Sequence, residues 1–170
     1  MNGKQILVAG VGNIFLGDDA FGVEVIRELL HHDLPSQVRV VDFGIRSYDL
    51  AYAFMDDYTT VILVDATQRG QPPGTLYLIE PDLSQLQQDE GELVNAHSLN
   101  PVRVLQMVKA MGGEPKPLFL VACEPAVLES EDGALGLSEI VKSAVPEATH
   151  MIEALIGRLL AEAAPCTNSA

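Results

Sequence analysis

Three polar side chains stand where apolar runs give out, and their types suit metal or proton chemistry. Asp19 lies just beyond Ile6-Leu7-Val8-Ala9-Gly10-Val11, Asp65 directly follows Val61-Ile62-Leu63-Val64, and His97 closes a long acidic stretch. Two carboxylates and one imidazole make a three-point chelate with coordination positions left open. Such a set suits a borderline divalent ion such as nickel or zinc. An acid at the end of an apolar strand is costly unless it is solvated or used. Each residue also has an ordinary explanation. Asp18 or Asp19 can serve as a helix cap or a first-turn acid favoured by the helix dipole, and a histidine in a polar loop is commonly a surface group. We assign Asp18 to capping and Asp19 to the site. Asp42, after Val38-Arg39-Val40-Val41, is a further strand-end acid.

The elements that must position these residues alternate in type. Short apolar runs begin at Ile6, Val38, Val61, Leu76 and Leu118, as expected of five strands. Between them, Phe21, Val25 and Leu29 repeat at helical spacing, and His31-His32-Asp33 with Pro35 closes that helix. Ser47 is the expected N-cap of a second helix reaching about Met55. Val104, Leu105, Val108 and Met111 form the stripe of a third, stopped by Gly112-Gly113. Leu137 to Ala144 starts a helical stretch that Pro146 is expected to restart as a new helix. The link from Ala66 to Gly74 is shorter than the ~12 residues a parallel crossover needs, so strand four should run antiparallel to strand three. The pattern predicts a single-domain three-layer α/β sandwich over residues 1–164, with a flexible tail at 165–170. Its five-stranded twisted sheet should be mostly parallel with one antiparallel strand, with helices on both faces. In such sheets ligands bind beyond the carboxyl ends of the strands, where Asp19, Asp42 and Asp65 fall. Residues 80–97 carry five acids and no Lys or Arg, and are read as a flap over the site.

Composition narrows the classes. Hydrophobic residues make up 48% and charged residues 20%, an ordinary globular balance. Ten Lys and Arg against 24 Asp and Glu leave a net charge of −14, which disfavours nucleic acid and suits a basic or cation-bearing partner. No apolar run approaches the ~18–20 residues of a membrane span, and Met1 to Gln5 lacks the regions of a signal peptide. Two cysteines, Cys123 and Cys166, fit a reducing compartment. A cytoplasmic protein is expected.

The stretch Gly10-Val11-Gly12-Asn13-Ile14-Phe15-Leu16-Gly17-Asp18-Asp19-Ala20-Phe21-Gly22 resembles the opening signature of the hydrogenase maturation proteases. Val41-Asp42-Phe43-Gly44, Ile62-Leu63-Val64-Asp65-Ala66 and Asn95-Ala96-His97-Ser98-Leu99 follow in the family's order, as do Ala122-Cys123-Glu124-Pro125 and Gly136-Leu137-Ser138. The resemblance covers roughly residues 4 to 160. It implies an endopeptidase that clips a C-terminal extension from the large-subunit precursor of a nickel–iron hydrogenase after nickel insertion. It also implies that Asp19, Asp65 and His97 bind the metal and carry the catalysis, with nickel presented by the precursor. Zinc or cadmium could take that place in a crystal. Some members have Glu where this chain has Asp19, and Gly where it has Ala20. Asp42 is placed near substrate rather than among the ligands. A monomer is expected. The resemblance leaves open whether the metal is catalytic or only a recognition tag.

Other readings fit less well. A dinucleotide-binding protein would want Gly where Phe15 stands, for close helix–strand packing, and two acids at a helix start would repel pyrophosphate. A peptidyl-tRNA hydrolase would want a His soon after Gly12-Asn13, yet the first is His31. A nickel chaperone would use the same triad without cutting. A cysteine hydrolase built on Cys123 and His97 would need a reactive thiol, whereas Cys123 ends an apolar strand and reads as a core residue.

Overall fold

The computed structural model describes residues 5–82, 101–128 and 135–164. Five strands, β1 (Ile6–Val11), β2 (Val38–Gly44), β3 (Thr60–Ala66), β4 (Leu76–Ile79) and β5 (Leu118–Cys123), form one sheet in the order β2-β1-β3-β5-β4. β1 pairs in parallel with β2 and β3, and β3 with β5, while β4 pairs antiparallel with β5 at the edge. The short link after β3 does reverse the chain, as expected. It does not seat β4 beside β3. β5 lies between them, held by Thr67 N–H to the Cys123 carbonyl and by reciprocal bonds of Gly74 and Thr75 with Glu124.

A 3₁₀ turn, Gly17–Ala20, leads into α1 (Phe21–Leu29); α2 is Ser47–Phe54, α3 is Pro101–Ala110 and α4 is Glu139–Ala163. Because strand side chains alternate faces, the sheet makes two cores. Ile6, Val8, Ile62, Val64 and Val121 pack with Phe21, Val25 and Ile26 of α1 and Ala148 and Ile152 of α4. Leu7, Ala9, Val61, Leu63 and Leu120 pack with Leu50 and Phe54 of α2 and Val104 and Val108 of α3. The result is the expected three-layer sandwich. Among the described residues, no helix is long and apolar enough to cross a membrane.

Three local expectations need correction. α4 runs unbroken through Pro146, where a new helix was expected. Its buried stripe of Val141, Ala144, Ala148, Ile152 and Leu155 continues across the proline, so packing against the sheet and α1 outweighs one lost backbone bond. Ser47 is the first residue of α2 rather than its cap; Arg46 occupies the cap position and no side chain bonds there. β2 does not end at Asp42 but continues to Gly44, with an irregularity opposite Gly10 and Val11. The tail, most of the acidic stretch with its proposed flap, and His97 lie outside the described residues.

Candidate functional site

The strand order reverses direction at β1, which sends the chain one way to β2 while β3 lies on its other side. A crevice opens at such a switch point, beyond the carboxyl ends of the strands. Asp19 reaches it from the turn after β1, and Asp65 from the end of β3. Three glycines let these backbones close up. A side chain on Gly10 would meet the Gly22 carbonyl at 2.6 Å, and one on Gly22 would meet the Val64 and Val11 carbonyls at 2.2 and 2.3 Å. One on Gly12, whose φ is +148°, would meet the Asp19 carbonyl at 1.9 Å. The start of α1 therefore rests directly on β1 and β3. Gly22 supplies the close approach that a dinucleotide fold takes from its third glycine. Phe15 does not lie in that contact at all; it is 65% exposed on the loop.

Asp19 is buried, and its Oδ2 accepts the Asn13 N–H at 2.8 Å. Asn13 Oδ1 in turn accepts the Phe15 N–H, which shapes the loop. Burial pushes the Asp19 carboxyl above its ordinary range, against the Asn13 bond. Asp65 is more deeply buried, and its Oδ1 accepts the Ala66 N–H at 2.8 Å. Its carboxyl is pushed well up, first by burial and then by the nearby negative charge of Asp19. A carboxylate raised by a neighbouring acid favours a proton or a cation beside it. Among the described residues, neither Asp19 Oδ1 nor Asp65 Oδ2 carries a hydrogen bond, so each acid keeps an oxygen for a ligand. Oxygen donors of this kind fit a divalent ion in a mixed carboxylate–imidazole set.

The structure brings Asp19 and Asp65 together. No three His, Cys, Asp or Glu side chains among the described residues gather to hold a metal. Asp42 lies near the end of β2. Its Oδ1 accepts the Gly44 N–H at 2.8 Å, and the Gly44 carbonyl accepts the Gly12 N–H, which sets Asp42 on the rim beside the loop after β1. Cys123 is fully buried, and burial with the charges of Asp18 and Glu124 pushes its thiol up to about 12. That thiol is no nucleophile at neutral pH.

Two buried acids play parts that the sequence reading missed. Asp18 does not cap its own turn. Its Oδ1 accepts the Ser138 N–H, and its Oδ2 accepts the N–H groups of Ala126 and Val127 and the Ser138 hydroxyl, at 2.7–2.9 Å. Glu124 accepts the N–H groups of Arg69 and Gly70 and the Tyr77 hydroxyl. Burial raises its carboxyl, but those bonds together prevail and leave it lowered. Glu124 directly follows an apolar strand, as Asp65 does, so its position carried a signal. Nothing in the sequence points Asp18 to donors at residues 126, 127 and 138.

Residues 23–155 match the family model described as hydrogenase maturation protease. That span contains Asp42, Asp65 and His97, and Asp19 precedes it. The chain is 30% identical over 164 residues to the hydrogenase 2 maturation protease of Escherichia coli K12, covering 95% of this chain and 96% of that one. It is 31% identical over 147 residues to the hydrogenase expression/formation protein HupD of Rhizobium leguminosarum, covering 85% and 70%. Among solved structures, the hydrogenase maturating endopeptidase HybD from Escherichia coli aligns with a TM-score of 0.75 at 29% identity, covering 91% and 93%.

Proposed function

The chain belongs to the hydrogenase maturation protease family, and on that premise we propose that Asp19, Asp65 and His97 form its working site and meet nickel carried by the precursor. It is a peptidase. Its substrate in this reading is the large-subunit precursor of a nickel–iron hydrogenase, from which it removes a C-terminal extension. The observation that carries the site is the buried Asp19–Asp65 pair at the strand switch point, each acid with one oxygen that no described residue bonds.

Peptide hydrolysis adds water across the scissile amide and delivers a proton to the departing amine. Asp65, whose surroundings favour the protonated acid, is suited to take a proton from water and return it. A cation arriving with the precursor relieves the repulsion between the two carboxylates, so binding favours a loaded substrate. Nickel can in addition polarise the scissile carbonyl as a Lewis acid. In the other route it serves only as a recognition tag while a carboxylate acts as the base. Either way, cutting becomes a check that insertion has occurred.

The test incubates the purified protein with nickel-loaded and nickel-free precursor, wild type beside Asp19→Asn, Asp65→Asn and His97→Ala. Cleavage of the loaded precursor alone is expected, with each variant slowed by about 10²-fold or more, the usual scale for loss of a catalytic acid or base. Equal cleavage of both precursors would end the nickel checkpoint, and full activity in all three variants would end the site. Asp65→Asn that binds loaded precursor without cutting it favours the general-base route.

A further inference from the structure

The segment Glu124–Val127 lies against both halves of the site, and a buried carboxylate locks each of its ends. At one end Asp18 gathers the N–H groups of Ala126 and Val127, while the Asp18 N–H itself donates to the Val127 carbonyl at 2.8 Å. Gly17, at φ +56°, allows this approach: a side chain there would meet the Val127 carbonyl at 2.7 Å. At the other end Glu124 gathers the N–H groups of Arg69 and Gly70, in the link that leaves β3 just after Asp65. Thr67 N–H adds a bond to the Cys123 carbonyl. A continuous path therefore runs from the turn of Asp19 through residues 127 to 124 and back to the strand end of Asp65. The same Asp18 carboxylate holds Ser138, the residue before α4, so the first turn of that helix joins the path.

We propose that Asp18 is a positioning residue for the peptidase reaction: it fixes the turn that carries Asp19 at a set distance from Asp65. The proposal deepens the site reading above and rests on it. Asp18 neighbours Asp19 in sequence, yet its carboxylate is spent on four donors of the protein itself. Three of those bonds fall on Oδ2 and one on Oδ1, so the carboxylate is committed to the fold. The physical effect is rigidity. An acid pair whose separation drifts loses its fit to a cation, and misplacement by ~1 Å can cost ~10²-fold in rate.

The experiment has two readouts. In Asp18→Asn the amide keeps one acceptor oxygen but turns an NH₂ towards one set of donors; Ser138→Ala removes only the hydroxyl donor and is the milder variant. Amide hydrogen exchange reads the Asn13 N–H, bonded to Asp19, and the Ala66 N–H, bonded to Asp65, beside Val8 and Leu63 as core references. Exchange at Asn13 is expected to rise about tenfold in Asp18→Asn and less in Ser138→Ala, with the references unchanged. Cleavage of the nickel-loaded precursor is expected to lose kcat by about 10- to 100-fold in Asp18→Asn, with KM within about twofold. Loss of protection confined to Ala126, Val127 and Ser138, with Asn13 and kcat at wild-type values, overturns the proposal. So does an equal loss of kcat in Ile152→Val, a core change matched for melting temperature. If Asp18→Asn does not fold, Ser138→Ala decides by the same criteria. If the wild type fails to cut the precursor, the peptidase reading falls, and exchange at Asn13 still judges the role of Asp18.

Discussion

At Asp65, burial and the charge of Asp19 both favour the neutral acid over the carboxylate. The pKa is raised above the ordinary ~3.9, so the folded state holds this proton more tightly than the unfolded chain. Stability from this group is greatest at low pH and falls as pH rises from the ordinary value through the raised one. The cost of the buried charge grows as pH rises through that window. Asp65→Asn keeps an oxygen for the Ala66 N–H and removes that cost. The variant should melt higher than wild type at pH 7, with the gap closing as pH falls towards ~4, while cleavage is lost. Thermal melts across pH check this; a variant no more stable at neutral pH would mean that the carboxylate is not strained. Destabilisation at a working residue is a common trade of stability for activity. Glu124 shows the opposite sign. Its bonds hold the carboxyl low despite burial, so its contribution is present above the ordinary range and lost as pH falls.

The opening of α1 shows how an element can be set by what a residue lacks. Gly22 leaves the helix touching the carbonyls of Val64 and Val11. Both obstacles are backbone, which cannot rotate aside as a side chain can. Gly22→Ala should therefore destabilise the fold by about 3 kcal/mol, the upper part of the range for overpacking. Denaturant unfolding should show a lower midpoint at unchanged slope. The far end of α1 is tied differently. His32 Nδ1 meets Glu153 of α4 at 2.5 Å and Nε2 meets Glu28 at 3.4 Å. The bond to Glu153 leads the causes that raise the His32 pKa, so the histidine holds its proton better when folded. This tie is fully present below the unfolded value of ~6.5 and lost as pH rises through the folded one. His32→Gln should flatten the fall in melting temperature over that window. An unchanged slope would assign the fall to other groups.

For the whole molecule, the net charge of −14 opposes compaction and shapes association. Raising NaCl from ~0.1 to ~1 M shortens the screening length from ~10 to ~3 Å, so the melting temperature should rise. A flat response would show that the acids are already balanced by local bonds, as Asp18 and Glu124 are. The same field should speed encounter with a basic or metal-bearing precursor and lose that advantage in salt, which stopped-flow binding would detect.

Periodicity and strand-end acids were enough to predict the three-layer sandwich, the reversed fourth strand and the candidate pair Asp19–Asp65, because local patterning reports which faces must be buried. The family resemblance gave Asp19, Asp65 and His97 a shared metal role and put Asp42 near substrate. Tertiary structure decided what depends on distant partners. β4 seats on β5 because the sheet order inserts β5 beside β3, which no link length specifies. α4 crosses Pro146 because its whole apolar stripe is buried, a gain larger than one backbone bond. Asp18 and Asp19 are identical and adjacent, and their roles diverge because one faces donors from residues 126, 127 and 138 while the other faces Asp65. That difference arises from contacts more than a hundred residues apart for Asp18, and such contacts exist only once the chain has folded.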